Sequence, residues 1–531
     1  MNKHSGIVMG VKEKKVLIQP ESSKLANRNY YVVGGPGSFK TQSFVLTNVI
    51  NNTDTSIVVT DPKGEVYEKT AKIKEAQGYE VKVVNFKHMS LSDHYNPFGY
   101  VRKDLDATTI ANTIVSAKND PKKKDIWFNA QLGLLKSLIL YAKAEFHPDK
   151  KNMEGILDFL QEFDPEANAD GESELDMKFM ALHKRHPARR SYELGFKKSQ
   201  ENTRGSIIIS LLTTIGDYID DEVADFTKNN DFFFEDIGKK KVVLYVLIPA
   251  MDKTWEGLIN LFFTQMFQEL YILGDKHGAK LPVPVLFLLD EFPNLGYFND
   301  YEEFLATCRG YRIACCTILQ NHTQMQDKYG DKKAESILGN CAVKICLGGV
   351  NETTATYFSN MTGKATVKVD TGGRSINKNG GSSGGSSSSS NFNYSQRVLM
   401  LPDEIQSMNK YQSLVFISGK RPIKAKKALQ FELFPDLLDQ YEVSQMEYQR
   451  HMSDECEKYY QKEIEQFEDG QNELNVLVSD DDDSNDIDKQ DLASEEQDDA
   501  VEHAREAIEQ YQNSLNTLHD IEDEDNEEES W

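Results

Sequence analysis

Four apolar residues, Tyr30 to Val33, run directly into Gly34-Gly35-Pro36-Gly37-Ser38-Phe39-Lys40-Thr41, and an apolar run at helical spacing, Phe44 to Ile50, follows. This order constrains the fold more than any other feature of the chain. A short apolar strand that turns through glycines into a helix belongs to a parallel sheet with crossover helices. Further strand signals fall at Val16 to Ile18, Ser56 to Thr60 and Tyr79 to Asn85, and later at Lys241 to Ile248 and Val283 to Leu289. The last two are apolar on both faces, as central parallel strands are. The fold class that follows is α/β, with a central, mostly parallel sheet.

Between residues 102 and 225 the strand signal stops. Apolar residues there recur at helical spacing, as in Trp127, Leu134, Leu135, Leu138 and Tyr141, which predicts an all-α domain inserted into the sheet domain. The sheet domain is then split into residues 1–101 and 226–440, with a flexible glycine- and serine-rich loop at 371–392 that has too few apolar side chains to bury a core. Composition changes again at residue 441. The formal net charge is -25, yet residues 441–531 alone hold 32 acids against 5 lysines and arginines, so the first 440 residues are close to neutral and have room for a basic face. The acidic stretch reads as a largely disordered tail. Within it Val501, Ala504, Ile508, Tyr511, Leu515 and Leu518 make one apolar stripe on a helix near 500–519, either a docking element or a segment that folds back on the body.

The six cysteines lack metal-ligand spacing and sit among apolar neighbours, as reduced core thiols do. No apolar run reaches the roughly 18 residues a spanning helix needs, and no signal-peptide pattern opens the chain, so a cytosolic location is expected.

The segment from Gly34 to Gln42 sits where a phosphate-binding loop must, between strand and helix. Backbone amides of Gly34, Gly35, Gly37, Ser38 and their neighbours would face phosphate oxygens, with Pro36 shaping the turn. Lys40 would neutralise the β and γ oxygens and Thr41 would ligate magnesium. Phe39 stands where the usual pattern has glycine, which leaves the loop's geometry and turnover open. A second element, Leu286 to Glu291, carries four apolar residues into paired acids at a strand's C-terminal end, the edge where open α/β sheets bind ligands. Asp290 is the expected magnesium ligand, and Glu291 the group that polarises the attacking water. A third strand, Ile313 to Leu319, ends at Gln320, placed to sense the γ-phosphate or to serve as an ordinary polar loop residue. Arg309 and Arg312 precede that strand and are candidates for an arginine finger that reaches a neighbouring subunit's nucleotide.

These segments resemble the TraG-type coupling ATPases of type IV secretion and conjugation. The resemblance rests on VVGGPGSFKT from Val32, TDPKGE from Thr60, NPF from Asn96, LLDEFPNLG from Leu288, ILQNHTQMQDKYG from Ile318, ILGNCAVKICLG from Ile337 and RVLMLPDEI from Arg397. It implies a RecA-like P-loop NTPase domain that uses ATP and Mg2+, and a helical insertion that receives substrate; apart from the resemblance, the insertion also reads as a lid that merely stabilises the fold. It also implies assembly into a ring, hexameric when active. The implied partners are relaxase and accessory relaxosome proteins, type IV secretion ATPases, and single- and double-stranded DNA bound without sequence preference and with steep salt dependence. Lys63, Lys122, Lys123 and Lys124 are candidate phosphate contacts or simply a solvated face. Relatives in this family usually begin with a membrane anchor, whereas here the phosphate loop comes within about 40 residues of Met1. Either the sequence is a truncated piece of a longer chain or this is an anchorless member, and an anchorless member is expected to be recruited to the cytoplasmic face of the membrane through a separate small anchor protein. Two other functions remain open, a recruitment platform that hydrolyses nucleotide weakly and a DNA-translocating motor for segregation.

Overall fold

The computed structural model describes residues 5–481 apart from 119–124, 163–172, 200, 299, 376–386 and 436. Eleven strands form one sheet: β1 (Ile7–Lys12), β2 (Lys15–Gln19), β3 (Tyr30–Val33), β4 (Ser56–Thr60), β5 (Glu80–Asn85), β6 (Val242–Leu247), β7 (Val285–Leu289), β8 (Ile313–Leu319), β9 (Val343–Cys346), β12 (Gln412–Ile417) and β13 (Ile423–Lys426). A separate ribbon contains β10 (Lys364–Ser375) and β11 (Ser387–Val398).

Across the sheet the order is β2-β1-β13-β12-β9-β3-β8-β7-β4-β6-β5. From β9 to β5 every pairing is parallel, and from β9 through β12, β13 and β1 to β2 every pairing is antiparallel. The sheet is therefore a parallel half joined to an antiparallel extension.

Alternation along the strands divides the core. Tyr31, Val33 and Val58 face one apolar cluster, and Tyr30, Val32, Ile57 and Val59 face the other. The first cluster takes in the helices that fill the chain between β5 and β6, through residues such as Ile110, Leu134 and Leu211, and the segments flanking them, where Tyr100 stacks on Phe234 at 4.5 Å and Tyr95 meets Phe262, on the helix after β6, at 4.9 Å. Among the described residues of that stretch there is helix and no strand, including Asp104–Lys118, Ile126–Glu145 and Glu201–Ile215. These helices share one apolar cluster with the sheet, and residues 1–464 make a single compact unit.

Two boundaries differ from the sequence reading. Residues 364–375 and 387–398, which take in the two ends of the expected loop at 371–392, form a regular antiparallel ladder from Lys364 opposite Val398 to Ser375 opposite Ser387, and residues 376–386 of that loop lie outside the described residues. Backbone amides pair across a ribbon whether or not side chains are buried, so glycine and serine content alone does not exclude a strand. The chain also continues to pack after residue 440. The Tyr448 hydroxyl donates to Asp93 at 2.6 Å, Arg450 pairs with Asp231 at 3.3 Å, Lys82 donates to the His451 carbonyl at 2.6 Å, and the Tyr460 hydroxyl accepts from the Asn230 amide at 2.7 Å. The aromatic residues between the acids carry this strap, whose net charge hides them. The helix Asp454–Asp481 leads into a second unit that begins at Glu465. The apolar stripe near 500–519 and Lys122 to Lys124 lie outside the described residues.

All six cysteines are buried and none is in a disulfide. Among the described residues, no helix is long and apolar enough to cross a membrane.

Candidate functional site

Strands β3, β8, β7 and β4 are consecutive parallel neighbours. Their C-terminal ends therefore open on one edge of the sheet. The register sets Val33 beside Leu319, Leu289 beside Thr317 and Val59 beside Leu288, so Gly34, Gln320, Asp290 and Asp61 each follow the end of a strand at that edge. The Gly34 amide donates to the Leu319 carbonyl at 3.1 Å, which fixes the start of the loop against the end of β8.

The loop is tight. A Cβ on Gly35 would stand 1.7 Å from the Gly349 carbonyl oxygen, so only glycine fits there. Gly37 turns with φ +71, and Phe39 also adopts a left-handed backbone, φ 59. For a residue with a side chain that conformation costs roughly 1–2 kcal/mol. The Phe39 ring stacks on Tyr411, with centroids 5.9 Å apart and planes 16° from parallel, a contact that offsets part of the cost. The chain then enters a helical run, first a wide π turn at Thr41–Val45 and then the α-helix Leu46–Asn51. Gln42 is anchored beside the loop, donating to Glu65 at 2.6 Å and accepting from Gln430 at 3.0 Å.

Lys40 bends back over the loop, donating to the Gly34 carbonyl at 2.8 Å with Glu291 3.9 Å away. Thr41 Oγ1 lies 3.5 Å from Asp290 Oδ2. Glu291 follows at the tip of β7 in a left-handed conformation, and its Oε1 accepts from Gln320 Nε2 at 3.0 Å. Lysine, threonine, both acids and the glutamine are thus brought together. Burial and then the neighbouring Glu291 charge push the Asp290 carboxyl up to about 7, against the opposing pull of Lys40. Thr60 Oγ1 donates to the Asp290 carbonyl at 2.7 Å and holds the acid's backbone in place.

The donor set fits a magnesium nucleotide. Thr41 and Asp290 present hard oxygens, which suit magnesium. Ser38 Oγ, in the loop and 5% exposed as a residue, is buried and has no hydrogen-bond partner among the described residues, a donor suited to a phosphate oxygen.

Arg309 and Arg312 are not brought to this edge. Both precede β8 and so lie at its other end. Arg309 is exposed. Arg312 is engaged within its own chain, paired with Glu21 at 3.1 Å and donating to the Leu281 and Pro282 carbonyls, both at 3.0 Å.

Three residues were missed as site residues. Asp61 follows β4, accepts from the Gly64 and Tyr67 amides, both at 2.9 Å, and is pushed up to about 6 by burial. Its signal was present in the sequence, since Ser56 to Asp61 repeats the pattern of an apolar strand ending in an acid. Tyr411 and Lys427 carry no comparable local signal. Lys427 Nζ donates to the carbonyls of Ser38 at 2.8 Å and Leu347 at 2.7 Å from the far side of the loop.

A parallel sheet with a glycine loop, lysine and threonine after one strand and paired acids two strands away defines the class, a RecA-like P-loop protein. Residues 5–476 match the family described as type IV secretory system conjugative DNA transfer, and the chain belongs to that family. It is 26% identical over 416 residues to the conjugal transfer protein TraG of Escherichia coli, covering 71% of this chain and 63% of the relative. It is 22% identical over 411 residues to the type IV secretion system-coupling protein VirD4 of Bartonella henselae, covering 75% of this chain and 62% of that protein. The chain thus spans somewhat under two thirds of these relatives. The plasmid coupling protein TrwB, solved in complex with ADP and Mg2+, superposes with a TM-score of 0.55 at 15% identity, covering 76% of this chain and 85% of the TrwB chain.

Proposed function

We propose that this chain is the ATP-hydrolysing coupling protein of a type IV secretion or conjugation system, which recruits a relaxase bound to DNA and drives its transfer to the translocation channel. The observation that carries the reading is the meeting of Lys40, Thr41, Asp290, Glu291 and Gln320 at one sheet edge in a chain of this family.

Residues Gly34 to Gln42 hold the phosphates, and Thr41 with Asp290 holds Mg2+. When bound, magnesium ATP supplies the electrophilic phosphorus and a divalent charge against the acids. Lys40 offsets charge on the phosphate side of the site. Glu291 orients water and accepts its proton through a carboxylate that Gln320 holds by its amide, so a change at the Gln320 end of β8 is felt at the base. Arg309, exposed at the opposite end of the strand, is the better placed of the two arginines to act on a neighbouring subunit, since Arg312 is tied within its own chain. That role requires a ring, hexameric when active.

DNA, single- or double-stranded, is bound through phosphates without sequence preference. Relaxase, accessory relaxosome proteins, the secretion ATPases and a small membrane-anchor protein are the partners, with the chain held at the cytoplasmic face of the membrane. The test is plasmid transfer from donor cells together with ATP hydrolysis with and without single-stranded DNA. The reading expects DNA-stimulated hydrolysis, and loss of both hydrolysis and transfer in Lys40→Ala. Nucleotide binding without magnesium-dependent turnover would leave a recruitment platform, and turnover without any effect on transfer would leave a motor with another duty.

A further inference from the structure

The phosphate loop has a second support that no motif marks. Tyr411 immediately precedes β12, and Lys427 immediately follows β13, both in the antiparallel extension. The Lys427 amide donates to the Tyr411 carbonyl at 2.8 Å, so the two residues form one unit. From that unit the Tyr411 ring stacks on Phe39, and the Lys427 ammonium donates to the Ser38 carbonyl and to Leu347, the residue before Gly348. Gly348 in turn accepts from the Gly35 amide at 3.1 Å. Successive loop residues Ser38 and Phe39 are thus both gripped from outside the loop.

We propose that Tyr411 and Lys427 are positioning residues that hold the phosphate loop in its binding shape, and that this clamp is what allows phenylalanine to stand at position 39. The inference rests on the reading of the loop as a nucleotide site.

Phe39 holds a backbone conformation that glycine adopts freely, so something must select it. The stack gives the ring a partner in that conformation. Lys427 is 2% exposed, and burial pushes its ammonium down to about 8. A lysine that loses so much solvation is held by its acceptors, and both acceptors are backbone carbonyls of segments that flank the phosphate site. Their fixed orientation leaves the neighbouring amides directed at the ligand. Tyr411 is 44% exposed, so it contributes little to the core, and its truncation tests the contact more than the fold.

The experiment is titration of a fluorescent ATP analogue with magnesium into the full chain and into Tyr411→Ala, Tyr411→Phe, Lys427→Met and Lys427→Arg, with Tyr411→Ala repeated in a Phe39→Gly background. Thermal unfolding of each variant identifies any that fail to fold. Tyr411→Ala is expected to weaken binding by roughly 3- to 10-fold and Tyr411→Phe to restore it, because an aromatic pair contributes about that much. Lys427→Met is expected to weaken binding by about 10- to 100-fold, the range for a hydrogen bond from a charged donor, with Lys427→Arg recovering part of it. In the Phe39→Gly background, Tyr411→Ala should have no further effect. An equal loss in both backgrounds shows that Tyr411 does not act through Phe39 and overturns the proposal, as does unchanged affinity in folded Tyr411→Ala and Lys427→Met. Absence of binding by the unaltered chain instead defeats the nucleotide reading itself.

Discussion

The two halves of the sheet contribute to the site in different ways. The parallel half, β9 to β5 across the sheet, presents chemistry at its strand ends: Lys40 and Thr41 after β3, Gln320 after β8, Asp290 and Glu291 after β7, Asp61 after β4. The antiparallel extension presents no catalytic group, yet it holds the loop through Tyr411 and Lys427. Parallel strands must all end on the same edge, so their following residues converge by topology, whereas the extension reaches the site only because its own turns bring it back against the loop. Chemistry is concentrated in one half and the support for it in the other.

The largest expected effect that sharpens this contrast is on turnover. Lys40→Ala should lower ATP hydrolysis by at least about 100-fold, the scale for loss of a charge-stabilising group, while leaving the unfolding midpoint little changed. Lys427→Met should do the reverse in kind, weakening nucleotide binding and lowering the unfolding midpoint together, because two buried carbonyls lose their donor. Calorimetry beside steady-state kinetics checks both. Equal thermal destabilisation by both substitutions would break the division of labour.

Two site groups, one from each half, carry opposite pH signatures in the nucleotide-free chain. Asp290 keeps its proton to about 7 when folded against 3.8 when free, so its contribution to stability is complete below 3.8 and is lost as pH rises through about 7. Lys427 releases its proton at about 8 when folded against 10.5 when free, so the unfolded chain binds more protons between those values and stability rises across them. Each contributes a slope of up to about 1.4 kcal/mol per pH unit in its own interval. Asp290→Asn should make the decline toward neutral pH shallower, leaving the share that Asp61 and Asp93 contribute, and Lys427→Met should make the alkaline rise shallower, leaving the share of Lys74, in denaturant unfolding curves taken across pH.

A smaller effect is expected where the halves are stitched together. Thr47, on the helix after the loop, donates to the Ala428 carbonyl at 2.7 Å, just beyond β13. Thr47→Val should lower stability by about 1 kcal/mol in urea unfolding with hydrolysis unchanged.

The same contrast explains what was legible in the sequence. The loop from Gly34 to Gln42, the acids after Leu289 and Gln320 after Leu319 announce themselves because their function needs a fixed position relative to a strand end, which is a local pattern. Asp61 followed the same rule and was legible in principle. Tyr411 and Lys427 act through contacts hundreds of residues away in the chain, and neither sits in a local pattern that implies a role. Composition misled in two places for a related reason: backbone pairing built the β10–β11 ribbon from glycine and serine, and Tyr448 and Tyr460 fastened a segment whose acids read as tail.

The central claim is that the edge formed by β3, β8, β7 and β4 is a working magnesium nucleotide triphosphatase. The most direct test is Glu291→Gln, with nucleotide affinity and ATP hydrolysis measured in magnesium on the same preparation as the unaltered chain. The account predicts affinity retained and hydrolysis lost, since the amide keeps the hydrogen-bonding shape beside Gln320 but cannot take the proton. Hydrolysis at the unaltered rate would contradict it and move the catalytic base elsewhere.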